Sequence, residues 1–337
     1  MPHPVAIPRR AAVLRRLTGL LLAAACLGGC SSLRTDAAKS LGEAGQQTAE
    51  AIAATAVLSD AACQQALDVD TLVFHYNYGG MEVQPALAEQ RARLTEDYVQ
   101  IHNELRARRK VFAELAAAYQ AFSDLADNQA AVETAEAVEK LSDAVSKYAE
   151  ATGGSPIFSG STQRNLGKLG WLATAEMKKK RLKEASALLR SRLTAFAKLL
   201  QNPLVKEQQL GFQEHLAGIK GEGIQLLWEA GAFDPSPLLD ELGADIGLRA
   251  SPEADTLSLK DKKFSSGLGA VVVSRLRRKI NLVREGYEAS VNAVDELARE
   301  HKKLEQDGSL DLDRLRNIAA EQQRAAQPMT PAKEESK

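Results

Sequence analysis

From Leu87 to Phe122 the apolar residues recur every three or four positions for about five heptads. Leu87, Leu94, Tyr98, Ile101, Leu105, Phe112, Leu115, Tyr119 and Phe122 form the stripe, and Arg91 and Arg108 fill the remaining seam positions. Only an α-helix puts residues of that spacing on one face, and a stripe kept up for this long is coiled-coil-like. Residues 86–126 taken as one helix would be about 60 Å long.

Other segments repeat the pattern. A phase slip at Asp127-Asn128 is followed by a second register through Val138, Leu141, Val145 and Tyr148, which Gly153-Gly154 stops. Such a stutter alters supercoil without ending a helix. After a Gly/Ser-rich connection over 152–170, long enough to be functional, a helix is expected from Trp171 to Gln201 with Leu182, Ala185, Leu189, Leu193, Phe196 and Leu200 inward. Asn202-Pro203 supplies an N-cap and a first-turn proline for the next helix, which runs to about Trp228. Three prolines and several turn signals make 231–263 a loop with short helical pieces. A last long helix is expected from Leu268 to about Gln306, keeping Leu276, Ile280, Val283, Tyr287, Val291, Val294, Leu297, His301 and Leu304 in register. Asp307-Gly308 ends it, and Ser309 can cap a short helix to about Gln323. The expected fold is all-α, an elongated bundle of long antiparallel coiled-coil-like helices over 41–326, with a disordered tail at 327–337.

Two stretches depart from this pattern. Leu41–Leu67 is rich in Ala and Gln, so its apolar face is weak. In "TLVFHYNYGGMEV", Phe74, Tyr76 and Tyr78 alternate with other residues before Gly79-Gly80, which predicts a small β-hairpin near residues 71–83. This is the densest aromatic cluster of the chain. It is either a contact surface or an aromatic plug at one end of the bundle.

The amino terminus carries Arg9, Arg10, Arg15 and Arg16 with no acid before Asp36, and then an apolar run from Leu17 to Gly29. That run is short of the about 20 residues a membrane span needs, and its charged start matches an export signal. Leu27-Gly28-Gly29-Cys30 resembles the bacterial lipobox, in which a branched apolar residue and two small residues precede the acceptor cysteine. Cys26 follows Ala23-Ala24-Ala25 and lacks the branched residue at minus three, so Cys30 is the better acceptor. The resemblance implies a signal peptide at 1–29 cut between Gly29 and Cys30, lipid on Cys30, and a tether over 30–40. Ser31 after the cysteine looks like the outer-membrane default of Gram-negative bacteria. Each acyl CH₂ buried in the bilayer contributes about 0.8 kcal/mol, so such an anchor holds.

Without residues 1–29 the 43 basic and 44 acidic residues become 39 and 44. A mildly acidic, exported chain gives no footprint for nucleic acid. Aromatics make up only 5% of the residues, which thins the core open to a globular enzyme. Cys63 is then the one mature thiol, so an intramolecular disulfide is out; it either packs on a helix face or forms an interchain bridge. His75, His102, His215 and His301 stand apart from one another and from any Cys, and no CxxC, HExxH or GxSxG pattern occurs. No cofactor, metal or catalytic group is therefore expected, and His301 lies on an apolar seam as a structural histidine. "GIKGEG" at 218–223 follows a helix-like segment rather than a strand, so close helix approach explains it better than phosphate binding. Lys178-Lys179-Lys180-Arg181 is the sharpest charge run, either a solvated face or a contact to anionic headgroups.

Together these features predict an outer-membrane, periplasm-facing adaptor or scaffold that works through contacts with another envelope protein, with homo-oligomers compatible. The alternative is a membrane-acting protein similar in outline to α-helical pore-forming toxins, with "GLGAVVV" (267–273) or "SPIFSG" (155–160) as its tongue.

Overall fold

The computed structural model of the chain describes the backbone over residues 10–79, 84–127, 131–158, 175–231 and 262–326, with most side chains from Thr35 onward. The described residues form helices and connections, with no strand among them. The helices are α1 (Arg10–Tyr78), α2 (Pro85–Ala126), α3 (Ala131–Ala151), α4 (Ala175–Leu200), α5 (Pro203–Glu229), α6 (Lys262–Glu305) and α7 (Asp313–Ala326).

α1 and α2 form an antiparallel pair with one register along their length. Lys39 meets Asp127, Gly45 lies on Tyr119, Asp60 meets His102, Gln64 meets Tyr98 and Thr71 meets Arg91. The predicted stripe of α2 is buried from Tyr98 to Phe122, Arg108 included, while Leu87, Arg91 and Leu94 are half-buried. α6 runs antiparallel past α4 and α5 in turn: Ser186 meets His301, Lys206 meets Glu288, and Gly269 lies against Gln225. α4 and α5 thus follow each other along α6, joined where Asn202 Oδ1 accepts the Leu204 N–H at 3.1 Å ahead of Pro203, as expected. α7 runs parallel to α1, with Thr48 donating to the Leu315 carbonyl and Thr55 to Gln322 Oε1.

Among the described residues, one end of the bundle therefore has α1, α2, α3, α4, α6 and α7 around one apolar core, and the other has α1, α2, α5 and α6. Near the junction a small cluster of Cys63, Ala66, Tyr98, Ile101 and Leu105 stands apart from the main core.

Several expectations need correction. Residues 71–78, expected as a strand, are the last turns of α1; residues 80–83 lie outside the described residues. The aromatic alternation also contains the helical pair Phe74 and Tyr78, whose rings sit 5.3 Å apart, and the helix beneath is already formed, so elongation wins. The phase slip at Asp127 is not a stutter within one helix. α2 stops at Ala126, and Thr134 at the start of α3 donates to the Ala121 carbonyl, so the chain doubles back onto α2. The weak face of residues 41–67 is closely packed over its first half: Leu41, Ala44, Ala49 and Ile52 are buried, and Ala38 with them. A Cβ on Gly42 would stand 2.7 Å from Ser123 Cβ, so small residues here serve close approach rather than marking a weak seam. The last long helix starts at Lys262, earlier than expected. It ends at Glu305, and Asp307 follows with φ 65 and the Gly308 N–H on the Lys303 carbonyl. Ser309 does not cap the short helix after it: the Asp311 N–H is held by Glu300 Oε2 at 2.8 Å, and α7 begins at Asp313. The tail, most of 231–263 and the start of the expected helix at Trp171 fall outside the described residues. So do the side chains of Cys26 and of Leu27 to Cys30.

Candidate contact surface

The end of α1 carries the three aromatics singled out from the sequence, and the helix separates their roles. Phe74 is half-buried and faces α2, with the Arg91 guanidinium 3.8 Å from its ring centroid. Arg91 also donates to Thr71 Oγ1 at 3.3 Å and lies 4.0 Å from Asp70, so Phe74 belongs to the clamp that ties the two helices together. Tyr76 points outward with 54% of its surface exposed, and Tyr78 is 37% exposed. Leu72, four residues before Tyr76, is 52% exposed and shares its face. Strand alternation groups 72, 74, 76 and 78 on one side, whereas the helical period pairs 72 with 76 and 74 with 78, so the exposed face is Leu72 with Tyr76 rather than the three aromatics together.

Two of the remaining sequence candidates, Cys63 and His301, are in the interior. Cys63 is 1% exposed, and burial pushes its thiol up to about 12, so the thiolate that oxidation needs does not form at neutral pH. That places it on the packing side of the two readings. His301 is fully enclosed: Nδ1 lies 2.8 Å from Ser186 Oγ and Nε2 3.0 Å from Tyr119 OH, with the Phe122 ring 5.4 Å away. A serine and histidine at that distance have the spacing of a nucleophile and its base. Here burial lowers the imidazole to about 3 and no solvent reaches the serine, so the group is a polar clamp between α2, α4 and α6. His102 Nδ1 lies 2.6 Å from Asp60 Oδ1 across the α1–α2 pair, while His75 and His215 are exposed. No group of three or more metal-ligating side chains occurs among the described residues.

A second buried polar group sits at the junction of the two ends. Arg108 donates to Gln209 Oε1 at 2.9 Å, and Gln209 donates to Glu104 Oε2 and Tyr148 OH, each at 3.2 Å. Arg108 also lies 5.1 Å over the Tyr287 ring, and Tyr287 OH donates to the Leu200 carbonyl at the α4–α5 joint. Burial raises the Glu104 carboxyl above its usual range. Sequence periodicity placed Arg108 on the seam but gave no hint of its partners, because Gln209 is 101 positions away.

Described residues of both proposed tongues take part in the helical packing. Phe158 of "SPIFSG" has its N–H on Ser146 Oγ and the Arg192 guanidinium over its ring, and "GLGAVVV" is an internal part of α6 with Val271, Val272 and Val273 half-buried. No helix among the described residues is long and apolar enough to cross a membrane. Gly218 and Gly223 differ: nothing lies within 4 Å of a Cβ at Gly218, whereas one at Gly223 would meet Val69 and Val73 of α1 under 3.0 Å. The close-approach reading of "GIKGEG" thus holds at Gly223 alone of these two. No family model, curated protein or solved structure matches the chain.

Proposed function

We propose that this chain is a lipid-anchored adaptor or scaffold of the bacterial outer membrane, facing the periplasm, whose elongated coiled-coil-like bundle presents a contact surface at its far end. The observation that carries the reading is α1: one helix leads from the segment bearing Leu27-Gly28-Gly29-Cys30 to the exposed pair Leu72 and Tyr76. From Thr35 to Tyr78 that helix rises about 65 Å. A reach of that size, set between an acylated cysteine and an exposed aromatic and leucine, suits a protein that holds an envelope partner away from its membrane. The polar groups best placed for chemistry, His301 with Ser186 and Glu104 with Arg108, are sealed in the core, which favours binding over catalysis.

The test is partner capture. Intact cells are crosslinked, the protein is recovered through a carboxy-terminal tag, and the experiment is repeated with Cys30→Ala and with Leu72→Ala/Tyr76→Ala. A defined envelope protein recovered with the wild type, lost with the first variant and reduced with the second, is expected. Recovery of that protein undiminished by the double variant overturns the far-end surface, and recovery of the chain by itself overturns the adaptor.

A further inference from the structure

The six-helix end gathers the part of α1 around Lys39, the end of α2, the first turns of α4 and the turn between α6 and α7. Lys39 Nζ lies 2.7 Å from Asp127 Oδ2, and Lys183 Nζ is 3.8 Å from Asp307 Oδ2. Lys178 is half-buried, and burial lowers its ammonium below the usual lysine range against the opposing pull of Asp127 and Asp36, which places the first turns of α4 beside α1 at Asp36. Lys179 and Lys180 are exposed and make no ion pair among the described residues, and exposed Met177 precedes them. The acid nearest in sequence is Glu176, so this turn of α4 has an excess of positive charge. Arg181 is occupied otherwise, bonded to Glu184 at 2.8 Å.

The distance to Cys30 is short. Five residue steps separate Cys30 from Thr35, which at full extension cover no more than about 18 Å. A lipid on Cys30 therefore keeps this end within that distance of the bilayer surface, whatever conformation the steps adopt.

We infer that Lys178, Lys179 and Lys180 bind the anionic phospholipid headgroups of the same bilayer that holds the Cys30 lipid, so that acyl chain and lysines together fix the bundle end-on. The inference rests on the lipid-anchored reading above. Positive side chains meet negative phosphates at the one end of the bundle that the tether keeps at headgroup depth, and each unpaired lysine near such a surface raises its occupancy roughly fivefold. Acylation combined with a basic patch is also the two-signal arrangement that holds a protein stably at a membrane. End-on binding carries Leu72 and Tyr76 to the side away from the bilayer, where a partner can reach them.

The experiment uses the processed protein, purified from membranes and reconstituted into vesicles of phosphatidylcholine alone or with added phosphatidylglycerol. Lysine acetylation is read by mass spectrometry, with Lys110, about 25 Å further along α2, as internal reference. Labelling of Lys178 to Lys180 relative to Lys110 should fall several-fold with phosphatidylglycerol and return in high salt. Equal labelling in both vesicle types, with the protein floating on each, overturns the headgroup contact and leaves the anchor intact. Protection that ignores lipid charge and salt assigns the lysines to a protein contact and also overturns it, as does protection at Lys262 and Lys263 instead. Protein that fails to float, or whose amino-terminal peptide lacks the acyl mass, overturns the anchor and the inference together.

Discussion

α2 buries Tyr119 and Phe122 completely near its C-terminus and leaves Leu87 and Leu94 half-exposed near its start. α6 shows the same gradient from its start to its end: Val271, Val272, Val273 and Val283 are half-buried and Leu282 is exposed, whereas Val294, Leu297 and Leu304 are buried. The helices are continuous and their stripes hold one period, so the difference comes from what surrounds them. Among the described residues, six helices close over the core at one end and four cover it at the other. A regular stripe therefore says which face turns inward, while the number of neighbours sets how deeply it is buried. The end with fewer described helices also carries the exposed Leu72 and Tyr76.

The contrast can be broken most forcefully by truncating one apolar side chain at each end. Phe112→Ala should destabilise by about 3–5 kcal/mol, since the ring is fully enclosed against Phe196, whereas Leu94→Ala should cost about 1 kcal/mol. Urea denaturation of the two variants checks this, and equal losses would erase the distinction between the ends.

Acid should act next, through the six-helix end. His301 is kept neutral in the folded protein, with its imidazole lowered to about 3, and protonates near 6.5 once unfolded. The unfolded chain binds the extra proton between those values, so stability is complete above about pH 6.5 and falls as pH drops toward 3. The full effect is on the order of a few kcal/mol. His301→Gln should flatten that slope in a series of melting curves taken across the window, and an unchanged slope would reject the assignment.

Glycine substitutions sharpen the comparison further. A Cβ at Gly45 would stand 2.4 Å from the Tyr119 ring, so Gly45→Ala should destabilise by about 1–3 kcal/mol. At the other end Gly218 has open space around it within α5, and Gly218→Ala should stabilise by up to about 1 kcal/mol through helix propensity. Opposite signs in the same thermal assay are expected, and matching signs would contradict the packing described.

Much of this architecture was readable before any coordinates. The inward residues of α4, Leu182 to Leu200, and of α3, Val138 to Tyr148, are all buried as their spacing required, and Asn202-Pro203 caps α5. Two of the misreadings share one cause, which is that a neighbour distant in sequence decided the outcome. The break at Asp127 is stabilised by Lys39, 88 positions away, and by α3 packing back on α2. The Ala-rich start of α1 looked too poor to pack because its partners, Tyr119 and Ser123, supply the bulk that it lacks. Of the aromatic cluster, Tyr76 is exposed whereas Phe74 is held by Arg91, and the exposed Leu72 beside Tyr76 went unnoticed.

The sequence by itself determined that these segments are helices and which face of most of them is apolar, because a repeat of three and four residues is a local property that neighbouring residues enforce along the chain. Only the tertiary structure decided where α2 gives way to α3, how closely α1 approaches α2, and that His301 joins Ser186 and Tyr119 while Tyr76 stays in solvent. Those outcomes depend on side-chain volumes and hydrogen-bond partners brought together from positions tens to hundreds of residues apart, and no local pattern records them.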